Sequence, residues 1–481
     1  PLIYAAFDNL DSINNRGTTS DRYRQDSRNW ALFTHNIIHV TDTVDLTLGL
    51  RYTNERKKFS ARFGNDNSAC VANQALVGAF ANPNSPAFNT GLFAVSQSLL
   101  NLSCQGNSTA ELNGVSINDE RKEDQFTGTA ILSWKPMDDL LLYGSYSRGY
   151  KAGGFNLDRS ALKAPAQSFA SAGGAQALVK NLQFDPEIVD AFEVGAKYST
   201  GPFSLNVSLF RQQFKNFQLN TFDGTVFIVQ NVNGCKKDLG GADRDQSANP
   251  GGANYIAPVI AAGTAFNLNP ALGTGACAKA DVGYGVSSTG VEVEATLVPH
   301  RDIRVNLGLT YADTKYRDNL VGNDSGAPLN PALRMLPGDN LSNAPEIVAT
   351  GSFAWTPDIG SSGLSGLFYI DTRLTDDFNT GSDLFPQKEQ TSYVVVNGRI
   401  GIRGKEERWA LEFWAQNLFN EKYAQVAFNS PFQQGGSTTP PYAAGFTAMP
   451  FADPQFPGGR QMFSQFLAEP RTYGVTGRIK F

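Results

Sequence analysis

The side chains best suited to chemistry are three histidines (His35, His39 and His300), the carboxylates Glu193, Glu292, Glu294 and Glu412, and four cysteines. Histidines could ligate a metal ion, and paired carboxylates could hydrolyse a glycosidic bond. Each possibility makes a demand on the backbone. His35 and His39 stand four residues apart, which on a strand puts both on one face but separates them by about 13 Å, too far for one ion. Gly49, Gly144 and Gly308 sit inside alternating segments rather than ahead of helices, so they form no phosphate-binding loop. No catalytic constellation and no metal site emerge. The charged groups must be explained by the elements that carry them.

Those elements are strands. In "RDIRVNLGLTYADTKYR", Ile303, Val305, Leu307, Leu309 and Tyr311 alternate with Arg304, Asn306, Gly308, Thr310 and Ala312. One face is apolar and the other polar. The pattern recurs in "DTVDLTLGLRY", "AFEVGAKY", "PFSLNVSL", "GVEVEATL", "YVVVNGRIGI", "RWALEFWA" and "RTYGVTGRIKF". Thirteen strands are expected, starting near positions 29, 42, 122, 139, 186, 202, 283, 301, 343, 364, 389, 407 and 470. On this alternation Glu193, Glu292, Glu294 and Glu412 share the polar face.

The connections decide between architectures. "HVTDTV", "KPMDD", "STGP", "PHRD", "TPDIGSSGLSG" and "GKEER" are short, and each is followed by a connection that is mostly far longer. A soluble sandwich has no reason to gather every long loop at one end. A transmembrane antiparallel β-barrel does, with short periplasmic turns, long extracellular loops and an outward apolar band. No apolar run reaches the roughly 18 to 20 residues of a membrane-spanning helix. The net charge of −5, without any basic block, argues against nucleic acid. Trp134, Phe203, Trp355, Trp409 and Phe481 fall at the short-turn end, with Tyr52, Tyr146, Tyr150 and Tyr311 at the long-loop end, where aromatic girdles belong.

The stretches "YGSYSRGYKAGGFN", "GVEVEATLVP" and "WAQNLFNEKYA", with a terminal strand ending in Phe481, resemble the TonB-dependent receptors. The resemblance implies a barrel of about twenty-two strands around an N-terminal plug. It also implies the outer membrane of a Gram-negative bacterium, TonB as energising partner through the plug, and uptake of a scarce nutrient such as an iron-siderophore complex. A passive porin or solute channel is the alternative. Thirteen strands, with no recognisable plug or TonB box, read as the C-terminal portion of one barrel domain. Residues 1–27 are expected to form an extracellular loop, with strands and loops over 28–481. An odd strand count cannot close antiparallel.

Site expectations follow. Four cysteines allow three pairings. Cys70 with Cys104 and Cys235 with Cys277 each fall within a single long loop facing an oxidising exterior. Glu292, Glu294, Glu412, Arg478 and Lys480 are expected on the lumen wall, with Glu412 paired to Arg478 or Lys480. The last long loop carries Phe428, Phe432, Tyr442, Phe446, Phe451, Phe456 and Arg460, a concentration suited to a flat or anionic ligand. Basic residues at the extracellular rim, among them Arg56, Lys57, Lys58, Arg121, Lys122 and Arg148, suit the phosphates of lipopolysaccharide in the surrounding outer-membrane lipid. From the family, Tyr473, Val475, Ile479 and Phe481 are expected to be read by the barrel-assembly machinery. No cofactor is implied.

Overall fold

The computed structural model describes residues 1–10, 20–64, 67–81, 85–104, 114–159, 182–222, 227–244, 275–329, 333, 335–429, 434–435, 459–460 and 463–480. Thirteen strands run through it as hairpins closed by short turns. They are β1 (Arg22–Thr41) and β2 (Val44–Arg62), β3 (Ser116–Met137) and β4 (Leu140–Lys151), then β5 (Glu187–Thr200) and β6 (Phe203–Lys215). Next come β7 (Val286–His300) and β8 (Ile303–Tyr316), β9 (Ile347–Trp355) and β10 (Leu364–Thr375), and β11 (Tyr393–Arg403) and β12 (Trp409–Gln416). The last is β13 (Thr472–Ile479).

Spatial order equals chain order, and every neighbouring pair is antiparallel. Among the described residues β1 and β13 are the two edges of this sheet. The six short connections lie at one end, and the strands lead at the other into the segments 63–115, 152–186, 216–285, 317–346, 376–392 and 417–471. No helix of the described residues is long and apolar enough to cross a membrane.

Side chains sort by alternation. Leu209, Val291, Tyr311 and Ile347 form one outward row across four strands. Leu209 is 50% and Tyr311 44% exposed, although both stand in mid-sheet. The next row, Ser208, Glu292, Thr310 and Val348, faces inward. An exposed apolar face of this extent is tolerable only against hydrocarbon. Trp134, Trp355 and Trp409 mark its short-turn border. Towards the other border Trp30 and Tyr52 pack at 5.3 Å between ring centroids and Tyr52 and Phe126 at 4.9 Å.

Two features depart from the periodicity. β1 begins at Arg22, inside the segment expected to be loop, because its ladder with β2 continues to the Arg22–Arg62 pair. Both faces are polar there, so hydrophobic alternation does not report it. The long connections also hold regular structure. Helix α1 (Leu2–Leu10), α2 (Ser68–Ala81) and α3 (Thr90–Ser103) enclose a small core of Ala6, Cys70, Val77, Leu99, Leu100 and Cys104. A second loop core joins Leu219, Val232, Val286, Tyr316, Leu320, Leu336 and Leu384, drawn from four different stretches of chain. The loops thus pack on one another above the sheet.

Candidate functional site

The inner face of the sheet is a wall of paired polar groups. The Tyr143 hydroxyl donates to Glu193 Oε1 at 2.5 Å, joining β4 to β5. Its ring packs against Gly195, where a Cβ would stand 2.5 Å from ring atoms and would force the ring to move. Lys197 Nζ sits 5.8 Å from the same ring centroid. Glu292 and Glu294 are exposed on the inner face of β7, and Asn206 Nδ2 approaches Glu294 at 3.5 Å. Further round, Asn306 donates to Ser352 at 2.9 Å and Asn397 to Asp371 at 2.8 Å.

Near the short-turn end this wall concentrates charge around Glu412, which is 1% exposed. Its carboxylate accepts from Arg478 Nη1 at 3.0 and 3.1 Å, from Arg399 at 3.3 Å and from Arg403 at 3.5 Å. Gly401 lies directly opposite Glu412 and leaves space for it to settle between the arginines. Arg478 is therefore the partner of Glu412, whereas Lys480 has no ion pair among the described residues and only its backbone N–H is bonded, to the Arg408 carbonyl. Arg399 and Arg403 were not anticipated. Their signal was present in "NGRIGIR", where both share the inward parity of Asn397.

Above the wall the mouth is built from loops. Cys70 is bonded to Cys104 and Cys235 to Cys277, and no free cysteine remains. Lys388 and Asp383, both under 6% exposed, pair at 2.6 Å inside the segment between β10 and β11. Phe463, from the final long connection, lies 5.5 Å under the Lys388 ammonium and 6.1 Å from Phe385. The Thr380 hydroxyl accepts from the Ala427 N–H at 2.9 Å. The two loops therefore dock through Phe463, which packs on the Lys388 ammonium and Phe385, and through the Ala427–Thr380 hydrogen bond.

Of the aromatic set in the last connection, Phe428 lies in a ribbon (Ala424–Asn429 with Phe463–Leu467) and packs on Phe466 at 5.4 Å. Phe432, Tyr442, Phe446, Phe451 and Phe456 lie outside the described residues, as does the Arg460 side chain, whose backbone pairs with Gln434. Tyr473, Val475 and Ile479 are exposed on the outer face of β13; Phe481 lies outside the described residues. The rim cations divide by parity. Arg56 and Lys122 face outward, but Lys57 turns in to Glu55 at 3.1 Å and Arg121 turns in to Asp185 at 2.8 Å. Adjacent residues of a strand cannot share a face. Among the described residues no group of histidine, cysteine and carboxylate side chains is arranged to hold a metal ion.

A sheet that is apolar outside, charged inside and looped at one end defines a transmembrane β-barrel wall. The chain belongs to the TonB-dependent receptor family: residues 3–418 match its model, described as TonB dependent receptor-like, beta-barrel. Among solved structures it is similar to the ferric yersiniabactin uptake receptor FyuA of Yersinia pestis. Identity is 14% and the TM-score 0.55, over 96% of this chain and 47% of that one. The ferric-catecholate import receptor Fiu of E. coli K12 matches with 14% identity and a TM-score of 0.49, over 95% and 45%. This chain thus spans about half the length of the receptors it resembles. No curated protein matches it.

Proposed function

We propose that this chain supplies wall and extracellular cap to an outer-membrane receptor of a Gram-negative bacterium that imports a scarce nutrient such as an iron-siderophore complex, driven by TonB acting through a plug. The observation that carries the reading is the combination of a charged inner wall with a cap whose loops are closed internally and packed on one another. A passive pore needs an open mouth. Here the disulfides, the Lys388–Asp383 pair and the Phe385–Phe463 contact organise the loops into a surface that can hold a ligand. The family supports the transport class, and Phe428, with the other aromatic residues of the last connection and Arg460, would meet a planar anionic ligand by stacking and charge-assisted hydrogen bonds. As the resemblance implies, β13 would carry the assembly signal in Tyr473, Val475, Ile479 and Phe481.

Uptake of radiolabelled ferric siderophores into iron-starved cells tests the proposal. Accumulation should require this receptor, intact TonB and an energised inner membrane. Uptake that is unaffected by loss of TonB, together with steady ion conductance of the purified protein in planar bilayers, would establish a passive channel instead.

A further inference from the structure

The stretch "NLFNEKYA" that follows β12 is organised by one buried residue, Asn417. Its Nδ2 donates to the carbonyls of Glu421 at 2.8 Å and Glu469 at 3.1 Å, its Oδ1 accepts from the Glu421 N–H at 2.7 Å, and its own N–H donates to Asn397 Oδ1 at 2.9 Å. Asn417 and Asn420 both take a positive φ, 49° and 57°, a conformation that asparagine tolerates better than most residues. This turn lays Tyr423 on Tyr393, at the long-loop end of β11, with ring centroids 4.0 Å apart and planes 13° from parallel. The stack is built by the chain itself.

Below it the inner wall holds a recess of about 720 Å³, lined from β7 to β11 and by Tyr423. That size falls within the roughly 300–1,000 Å³ of small-molecule sites. Gly308 opens it, since it faces Thr350 across β8 and β9 and a Cβ there would stand 2.6 Å from Thr350 Oγ1. Arg373 stands two residues from Asp371 on β10 and so shares its inward face. It is exposed, and its side chain makes no hydrogen bond or ion pair among the described residues. Its charge reaches the Tyr423 hydroxyl, opposing the upward shift that burial and Tyr393 give that group. Asn306, Thr350 and Ser352 add amide and hydroxyl groups, and Glu294 and Asp371 add carboxylates.

These groups select a ligand. An uncommitted guanidinium beside a ring stack suits a planar carboxylate, which it can meet with two parallel hydrogen bonds. The two acids oppose any molecule that is negative along its whole length, such as a polyphosphate or a tricarboxylate. They accept instead from hydroxyl donors. The complement carries one carboxylate at one end and hydroxyl groups along the rest.

We propose that this recess binds a sugar acid, a short glycan bearing a single hexuronate, with its carboxylate on Arg373, a ring face against the Tyr393–Tyr423 stack and its hydroxyls on Asp371, Thr350 and Ser352. The site is separate from Phe428 and Arg460 in the last connection, and it rests on the reading above only in taking the inner face to line an import path.

Isothermal titration calorimetry of the receptor, purified from outer membranes in detergent, tests it with cellobiouronic acid and with cellobiose, its uncharged counterpart. Wild type should bind the acid about tenfold more tightly than the neutral sugar, and Arg373→Gln should abolish that preference. Tyr423→Phe, which keeps the stack, should stay within about twofold of wild type, whereas Tyr423→Leu should weaken both sugars about fivefold. Absence of binding by wild type, or equal affinity of wild type and Arg373→Gln for the acid, would overturn the proposal. Citrate binding as tightly as cellobiouronic acid would overturn it too, by showing a simple anion site. Should Arg373→Gln fail to fold, judged by heat-modifiable migration, Tyr423→Leu carries the test, and unchanged affinity there would overturn the site. Siderophore uptake is scored separately. Sugar-acid binding lost in Arg373→Gln with siderophore uptake intact supports a distinct site, whereas uptake absent from a wild type that binds the sugar acid sinks only the siderophore reading.

Discussion

The Glu412 carboxylate and the Arg478 guanidinium meet at 3.0 Å across the seam between β12 and β13, one diagonal step off register, since Ala410 faces Arg478 and Glu412 faces Thr476. Because Arg399 and Arg403 reach the same carboxylate from β11, a single acid ties together the last three strands of the sheet. The seam matters because β12 and β13 share a short ladder of eight facing pairs.

Replacing that acid should therefore cost more than replacing any one of its bases. Glu412→Gln leaves three guanidinium groups facing each other and should destabilise the wall by about 1–3 kcal/mol, the lower end reflecting screening in a wet lumen. Arg478→Gln should cost less, because Glu412 keeps two partners. The midpoint of heat-modifiable migration for the two variants checks the order.

The buried pair beneath the last loops should behave differently. Asp383→Asn strands the Lys388 ammonium among Phe385 and Phe463, and should loosen the Phe378–Gln390 segment by about 3–5 kcal/mol. Replacing both residues with apolar ones, as in Asp383→Leu with Lys388→Met, should recover most of that protection. Hydrogen exchange of the segment distinguishes the two.

Reduction should act on the cap and spare the wall. Each disulfide closes a loop, of 34 residues for Cys70–Cys104 and 42 for Cys235–Cys277. The stabilisation on a chain-entropy account is about 4 kcal/mol apiece. Limited proteolysis after dithiothreitol should cut within 63–115 and 216–285, leaving the folded migration of the barrel unchanged.

Acid should tighten one loop. Burial pushes the Asp243 carboxyl above its usual range, against the opposing effects of the Leu320 N–H, which donates to it at 2.8 Å, and Arg244 beside it. A folded pKa above the unfolded one means that the contribution to stability is complete below the unfolded value and is lost as pH rises through the folded one. Exchange protection around Leu320, corrected for intrinsic rates, should rise as pH falls from 7 towards 4. Asp243→Asn should flatten that dependence.

Much of the wall is legible in the residues themselves because lipid imposes a two-residue period that soluble cores blur. Ile303 to Tyr311 announces β8, and counting up two strands places Glu412 near Arg478 or Lys480, of which the first is the partner. Above the bilayer that rule ends. The first turns of β1 from Arg22 carry polar residues on both faces, so only the ladder with β2 reveals them. Helix α2 lies in "SACVANQALVGAFA", whose small apolar residues show little sidedness, and it gains its place from the disulfide and from α1. Buried contacts between distant loops, such as Lys388 with Phe463, have no local period to find.

Strict agreement between spatial and chain order has a consequence for how such a wall is made. Each strand after the first needs only the one just before it as template, so the sheet can grow at a single advancing edge, with no strand threaded between two already paired. The two-residue turn at Asp42-Thr43 and its counterparts make each hairpin inexpensive to close. The burden falls on the opposite side, where the long segments 63–115 and 216–285 are each closed by one disulfide rather than by a turn. Short turns thus guide the order of strand pairing at one end, and covalent closures limit the freedom of the loops that no turn can hold at the other.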